Sequence, residues 1–212
     1  MSRWASALPN REELAEAKRK AIIREAARVF SRRGHGSSLD DVAERLGVSK
    51  AALYRYVDSK QDLLYACHLE AMEIARESMD RGEAKGRTGL EKIRIGMADY
   101  LREMIGAMGV PVLILEENAL TGKQASDIMR LRDDFETRMR HLVEEGITDG
   151  SIVPVNPKIA IFMLLGAVHW VTKWYSPEGA WSADEVADAL MELATRGFAA
   201  EPAAKLGATL HR

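Results

Sequence analysis

Residues 38–56 read SLDDVAERLGVSKAALYRY. Two short helical patterns flank a Gly-Val-Ser break. Ser38 begins the first, and Ser38-Leu39-Asp40-Asp41 is a capping-box variant with Asp in place of Glu. Gly47 ends that helix, because glycine accepts the left-handed conformation that closes a helix. Ser49 then caps a second helix over Lys50–Tyr56. Val42, Ala43 and Leu46 give the first helix an inner face, and Ala52 and Leu53 do the same for the second. Val48 is expected to plug the angle between them. Lys50, Ala51, Tyr54 and Arg55 are left facing outward. A short helix that shows its N-terminal residues and flanking cations to solvent is built to enter a DNA groove. Lys50 and Lys60 can neutralise phosphates, while Tyr54 and Tyr56 can donate neutral hydrogen bonds to phosphate oxygens. Arg55 suits either a guanine edge or a phosphate. An ordinary amphipathic surface helix would share much of this composition. The helix–Gly-Val-Ser–helix spacing favours DNA.

Outward from this unit the pattern stays helical. Helices are expected at 11–33 (stopping at Gly34), 39–46, 50–56, 60–80, 90–107, 111–120, 124–146, 157–175 and 183–198. That makes about nine, with no convincing strand. RGEAKGRTG at 81–89 reads as a loop, and residues 199–212 as a loose tail. The segment GVPVLILEENAL at 109–120 is ambiguous, but Pro111 suits the first turn of a helix. The fold class is therefore all-α. Residues 1–66 form an N-terminal arm and helix-turn-helix domain, and residues 67–198 a second helical domain.

Charge divides along the same line. Residues 1–66 hold 13 Lys+Arg against 9 Asp+Glu, a balance of +4; residues 67–212 hold 17 against 23, a balance of -6. A basic N-terminal module in an acidic chain fits an anionic partner. No apolar run approaches the roughly 20 residues needed to cross a bilayer. The N-terminus lacks the apolar core of a secretory signal. Cys67 is the single cysteine, so no internal disulfide framework can form, and a buried core thiol is the plainer reading of it. A cytoplasmic protein without membrane partners is expected. No HExxH, GxSxG, P-loop or dinucleotide fingerprint occurs, so no catalysis and no cofactor are expected. His141 with Glu144 or Glu145 offers too few ligands for a metal site, and Glu116-Glu117 reads as a solvated or paired couple.

Residues 21–66 resemble the N-terminal domain of the tetracycline-repressor (TetR) family. The resemblance rests on Ala26-Ala27, Phe30, Gly34, the Ser38-led helix, Gly47-Val48-Ser49-Lys50, Leu53-Tyr54, Tyr56, Ser59-Lys60 and Leu63-Leu64. Ala51-Ala52 stand where the family often has Gly-Thr, and Val57 where it usually has Phe, which leaves the operator sequence open. The resemblance implies an all-helical homodimer that binds a palindromic double-stranded DNA operator and is released by a small molecule. DNA-contacting residues would then be Ser38, Ser49, Lys50, Ala51, Tyr54, Arg55, Tyr56 and Lys60.

The second domain is read from its residues first. Met97, Tyr100, Leu101, Met104 and Ile105 recur at helical spacing, followed by Met108; Met129, Phe135, Met139 and Leu142 do so on another helix. Methionine adapts its shape and lines promiscuous sites, although such residues also fill ordinary cores. Phe162, Leu165, Gly166, His169, Trp170 and Lys173 mark a helix able to dock on a symmetry mate. The run HWVTKWYSPEG at 169–179 resembles the C-terminal segment of family members that regulate lipid or sterol catabolism and sense acyl-CoA thioesters. The expected effector-binding residues are Met97, Tyr100, Met104, Met108, Met129, Phe135, Met139, Trp170 and Trp174. The effector is expected to be a small apolar or acyl-CoA-type molecule. Two alternatives stand: a multidrug-type sensor repressor of an efflux gene, and a helical protein-interaction module without gene control.

Overall fold

The computed structural model describes residues 10–33, 36–108 and 120–200. Eight α-helices account for most of them: α1 (Arg11–Arg33), α2 (Leu39–Leu46), α3 (Lys50–Leu53), α4 (Lys60–Lys85), α5 (Gly89–Glu103), α6 (Gly122–Asp149), α7 (Pro157–Trp170) and α8 (Ala183–Arg196). A π-turn over Met104–Met108 extends α5, and a 3-10 turn over Val171–Lys173 extends α7. Among the described residues the single β feature is an isolated bridge between Ile152 and Ala199. Residues 111–119 of the expected helix at 111–120, the stop at Gly34, the Glu116-Glu117 pair and residues 201–212 of the expected tail lie outside the described residues, while Ala199 and Ala200 of that tail are tied to Ile152 and Ser151.

Local chemistry sets most helix starts. Asn10 and Glu13 cap α1 reciprocally: the Glu13 N–H donates to Asn10 Oδ1 at 2.8 Å and the Asn10 N–H to Glu13 Oε2 at 2.9 Å. Ser59, Thr88, Asn156 and Ser182 accept from the backbone at the starts of α4, α5, α7 and α8. α1 buries Ile23, Ala26, Ala27 and Phe30 against α2 and α4, with Val42, Leu53, Leu63 and Leu64 completing the core of the head.

Two expected boundaries move. α4 runs on to Lys85, through most of the stretch expected as a loop. Gly82 does not break it, because its missing side chain is needed for packing: a Cβ there would meet Lys92 O at 2.5 Å and Gly96 Cα at 2.8 Å. α3 stops at Leu53, and Tyr54 to Tyr56 follow as a turn rather than as a further helical turn. Residue 66 falls within α4, so one continuous helix leads from the N-terminal head into the bundle of α5, α6, α7 and α8.

Candidate functional site

The Gly-Val-Ser turn is built as a tight corner. Gly47 sits at φ 65°, where a side chain would be strained, and its N–H donates to Glu44 O at 3.1 Å. The Val48 N–H donates to Ala43 O at 3.0 Å. The Val48 side chain is 43% exposed, so it does not plug the angle as expected; fully buried Leu53 anchors α3 instead. The Ser49 hydroxyl accepts from the Ala52 N–H at 3.2 Å. Leu53 points inward and the rest of the turn faces out: Ser49, Lys50, Ala51 and Arg55 are exposed, Tyr54 is 44% exposed and Tyr56 46%. Lys60 begins α4 and is partly buried, its ammonium 5.8 Å from the centre of the Phe30 ring. Ser38 stands apart from this group, because its hydroxyl is engaged with Asp41 in the cap of α2.

Asp40 was not legible as part of this surface. It lies in the first turn of α2 and ion-pairs with Lys50 at 2.8 Å. The hydrogen bond from Lys50 to Asp40 and the charge of that carboxylate hold the Lys50 ammonium above its ordinary value. Both side chains are well exposed, so the pair does little for stability. Its effect is on what Lys50 offers a phosphate. Asp40→Asn should therefore tighten binding to any duplex by about fivefold and leave the salt slope near that of the parent, because Lys50 meets the same phosphate in both. Fluorescence anisotropy across a salt series on a random-sequence duplex measures both quantities.

The head is tied to the bundle by a polar latch. The Gln61 amide donates to Thr121 Oγ1 at 3.1 Å and to Gln124 Oε1 at 2.9 Å. The Gln124 amide donates to Asp62 Oδ1 at 2.8 Å, and the Tyr65 hydroxyl to Asp127 Oδ2 at 3.3 Å. On the other side Arg28 donates to the carbonyl of Gly106, in the π-turn, at 3.3 Å. The start of α6 thus holds the start of α4, next to Lys60, and the π-turn after α5 holds α1. Cys67 is buried in this region and donates to Ile23 O at 3.4 Å. Burial, with Glu70 nearby, pushes its thiol far above the ordinary range, so it is an inert core group.

The nine expected effector-binding residues do not converge. Met97, Tyr100 and Met104 share one face of α5 and are fully buried. Phe135 and Met139 lie one turn apart on α6, and the Tyr100 and Phe135 rings meet at 6.1 Å. Met129 is 57% exposed and Trp170 65% exposed. Trp174 is exposed, with its ring edge-on to Trp181 at 6.2 Å. The side chain of Met108 lies outside what the structure describes. The Tyr100 hydroxyl is buried without a hydrogen-bond partner among the described residues, a costly arrangement in an apolar core. Burial pushes that phenol upward, and Arg132 only partly opposes it. A cavity of about 220 Å³ adjoins this core, lined by Met72, Arg132, Phe135, Phe162, Leu165 and His169 among others. Its polar members, together with buried His68 (Nδ1 3.5 Å from Arg132 Nη2), went unrecognised because they fall on helical faces that otherwise read as core. Ile159, Phe162, Met163 and Trp170 leave α7 with an exposed apolar face, flanked on α8 by exposed Leu193. Among the described residues no group of three or more metal-ligating side chains occurs, and no helix is long and apolar enough to cross a membrane.

Comparison with known proteins agrees with this arrangement. Residues 22–67 match the family described as bacterial regulatory proteins, tetR family, and residues 86–198 match the tetracyclin repressor-like C-terminal domain. The chain is 30% identical over 168 residues to the HTH-type transcriptional regulator RutR of Escherichia coli strain K12, covering 73% of each. Among solved structures, PfmR, a TetR-family transcriptional regulator of Thermus thermophilus, superposes with a TM-score of 0.71 at 28% identity, covering 82% of this chain and 97% of that one. AibR, in complex with isovaleryl coenzyme A and operator DNA, superposes with a TM-score of 0.69 at 26% identity, covering 82% and 96%. RutR, PfmR and the matched families are transcriptional regulators rather than enzymes. An exposed helix-turn-helix joined by one long helix to a second helical bundle, matched at both ends of the chain, leads to one conclusion: the protein belongs to the TetR family of DNA-binding transcriptional regulators.

Proposed function

We propose that this chain acts in the cytoplasm as a homodimeric repressor that leaves a palindromic operator when a small apolar or acyl-CoA-type effector binds. The observation that carries this reading is the exposed turn Ser49–Tyr56, set beside an α4 that runs unbroken into the effector bundle. Lys50 and Lys60 neutralise phosphates, Tyr54 and Tyr56 donate to phosphate oxygens, and Ser49, Ala51 and Arg55 meet the bases. The effector is held by the facing surfaces of α5 and α6 around Met97, Tyr100, Met104, Phe135 and Met139. AibR, similar over most of this chain, was solved with isovaleryl coenzyme A, which supports a thioester as the effector class. Any shift of α6 passes through the Gln61–Gln124–Asp62 latch to the start of α4, and any shift of the π-turn reaches α1 through Arg28. The effector favours the spacing of the two heads that misses the operator.

A competition assay tests the reading. The palindrome beside the gene should bind on the order of a thousandfold more tightly than bulk DNA, and an acyl-CoA thioester should release it. Equal affinity for both DNAs would leave the protein-interaction alternative standing.

The dimer has its own test. The exposed face of α7 around Ile159, Phe162 and Trp170, with small Gly166 and Ala167 nearby, suits an isologous helix pair. Phe162→Glu should turn a dimer into a monomer in sedimentation velocity and weaken operator binding by about a hundredfold or more, because each half-site must then be held alone. A wild-type monomer would remove this part of the proposal.

A further inference from the structure

A cavity of about 540 Å³ opens where α1 of the head meets α4 and α6. That volume is in the range of small-molecule sites. Ile23, Leu69, Leu131 and Phe135 provide an apolar floor, and charged side chains form the rim.

The rim charges are not equally engaged. Arg76 donates to Glu73 at 2.6 Å and 2.9 Å and to Asp80 at 2.7 Å. Arg138 donates to Glu83 at 2.6 Å, to Asp80 at 2.7 Å and to the Arg76 carbonyl at 3.3 Å. Both guanidinium groups are therefore already paired with carboxylates. Glu70 differs: its side chain is only 16% exposed, and its ion-pair contact is Arg24 at 3.9 Å, too long for a hydrogen bond. Asp134 has no ion pair among the described residues and is exposed on the opposite wall. Arg19, also on the rim, is well exposed and lies 3.8 Å from Glu16 on its own helix. The unused electrostatic capacity of the site, Glu70 and Asp134 against the exposed Arg19, is thus net negative and sits over an apolar floor. A carboxylate withdrawn from water without a close partner gains when a cation joins it.

We propose that this junction is a second binding site, separate from the Met-rich faces of α5 and α6, and that it takes a compact apolar cation. The apolar body rests on Ile23, Leu69, Leu131 and Phe135, and the charge lies between Glu70 and Asp134. Two walls belong to the bundle and one to the head, so an occupant fixes the angle between them and changes operator affinity directly. Phe135 and Met72 line both this cavity and the smaller one beside Arg132, so occupancy of either is felt by the other.

Calorimetric titration of the full-length protein with tetraphenylphosphonium and with tetraphenylborate tests the site, because the two ions share a shape and differ in sign. The cation should bind one per chain and at least about tenfold more tightly than the anion. Glu70→Gln with Asp134→Asn should weaken the cation about tenfold, the expected effect of removing two nearby charges from a partly screened site. Exposed Asp134→Asn alone should fold normally and weaken it about threefold. Leu131→Trp, which fills the floor, should block it. Equal affinity for the two ions, no binding of either, or an affinity unchanged by the carboxylate substitutions would overturn the proposal. None of those results bears on the palindrome competition.

Discussion

Replacing Lys50 and Lys60 together by alanine should weaken binding to every duplex about a hundredfold near physiological salt. It should also lower the slope of log K against log salt by about 3.6. The figure follows from counterion release: each neutralised phosphate contributes about 0.9 to the slope, and a dimer would lose four such contacts. Sequence preference should hardly change, because phosphate contacts position the head without reading bases. The two lysines should not be equal. Lys50 must exchange Asp40, 2.8 Å away, for a phosphate, so part of its gain is already spent in the free protein. Lys60 lies over the Phe30 ring, and its loss also removes a contact that covers the core of the head. Thermal melts of each single variant separate that stability loss from the loss of a phosphate contact. Tyr54→Phe is the complementary change: a neutral hydroxyl contact is lost, affinity falls several-fold, and the salt slope stays put. An unchanged slope in the double-lysine variant would mean that the exposed turn does not meet phosphate at all.

The head was more legible than the bundle for a physical reason. Its corner is fixed by short-range chemistry: the Ser38–Asp41 cap, left-handed Gly47, and the Ser49 and Ser59 caps each act within three or four residues. Such signals are complete in the local sequence. Periodicity then identified Met97, Tyr100, Met104, Phe135 and Met139 as inward-facing, and all five are buried. It could not separate a filled core from an empty site, since the same pattern serves both. Nor could it place Met129, Trp170 and Trp174, whose apolar side chains are largely exposed. Gly82 looked like part of a loop because glycine is a weak helix former, whereas its role is to let two helices touch. The Asp40–Lys50 pair and the junction cavity depend on helices 10 or more residues apart meeting in space. No local pattern carries that information.

Close helix approach gives the last and most severe prediction. Gly89, the first residue of α5, has no room for a side chain: a Cβ there would fall under 3.0 Å from the Leu142 carbonyl oxygen and the backbone of Gly146. These are backbone atoms of α6, so they cannot rotate aside as a flexible side chain would. The space that Gly146 itself leaves is taken by Ile152, whose Cδ1 would lie 2.5 Å from a Cβ at that position. The Gly89 N–H also donates to Asp149 Oδ2 at 2.8 Å, and the Leu90 N–H to Ser151 Oγ at 3.3 Å. Adding one methyl therefore parts α5 from α6 and breaks this staple together. Gly89→Ala should cost about 3 kcal/mol, the upper end for overpacking, and lower the melting temperature by roughly 10 °C. Gly89→Val should cost more and abolish operator binding, because it displaces α6, whose start holds α4 through the Gln61–Gln124–Asp62 latch. The staple has a pH signature as well. Burial opposes ionisation of Asp149, but hydrogen bonds from Ser151 and Gly89 outweigh it and hold the carboxyl below its ordinary value. Its contribution is therefore present above the usual aspartate range and is lost as the pH falls through the lowered value. Gly106→Ala is the control. Among the described residues a Cβ there meets nothing within 4 Å, so its melt should stay close to that of the parent chain. If Gly89→Ala melted like Gly106→Ala, α5 and α6 would be free to separate at little cost, and a rigid path from the effector faces to the latch could not be sustained.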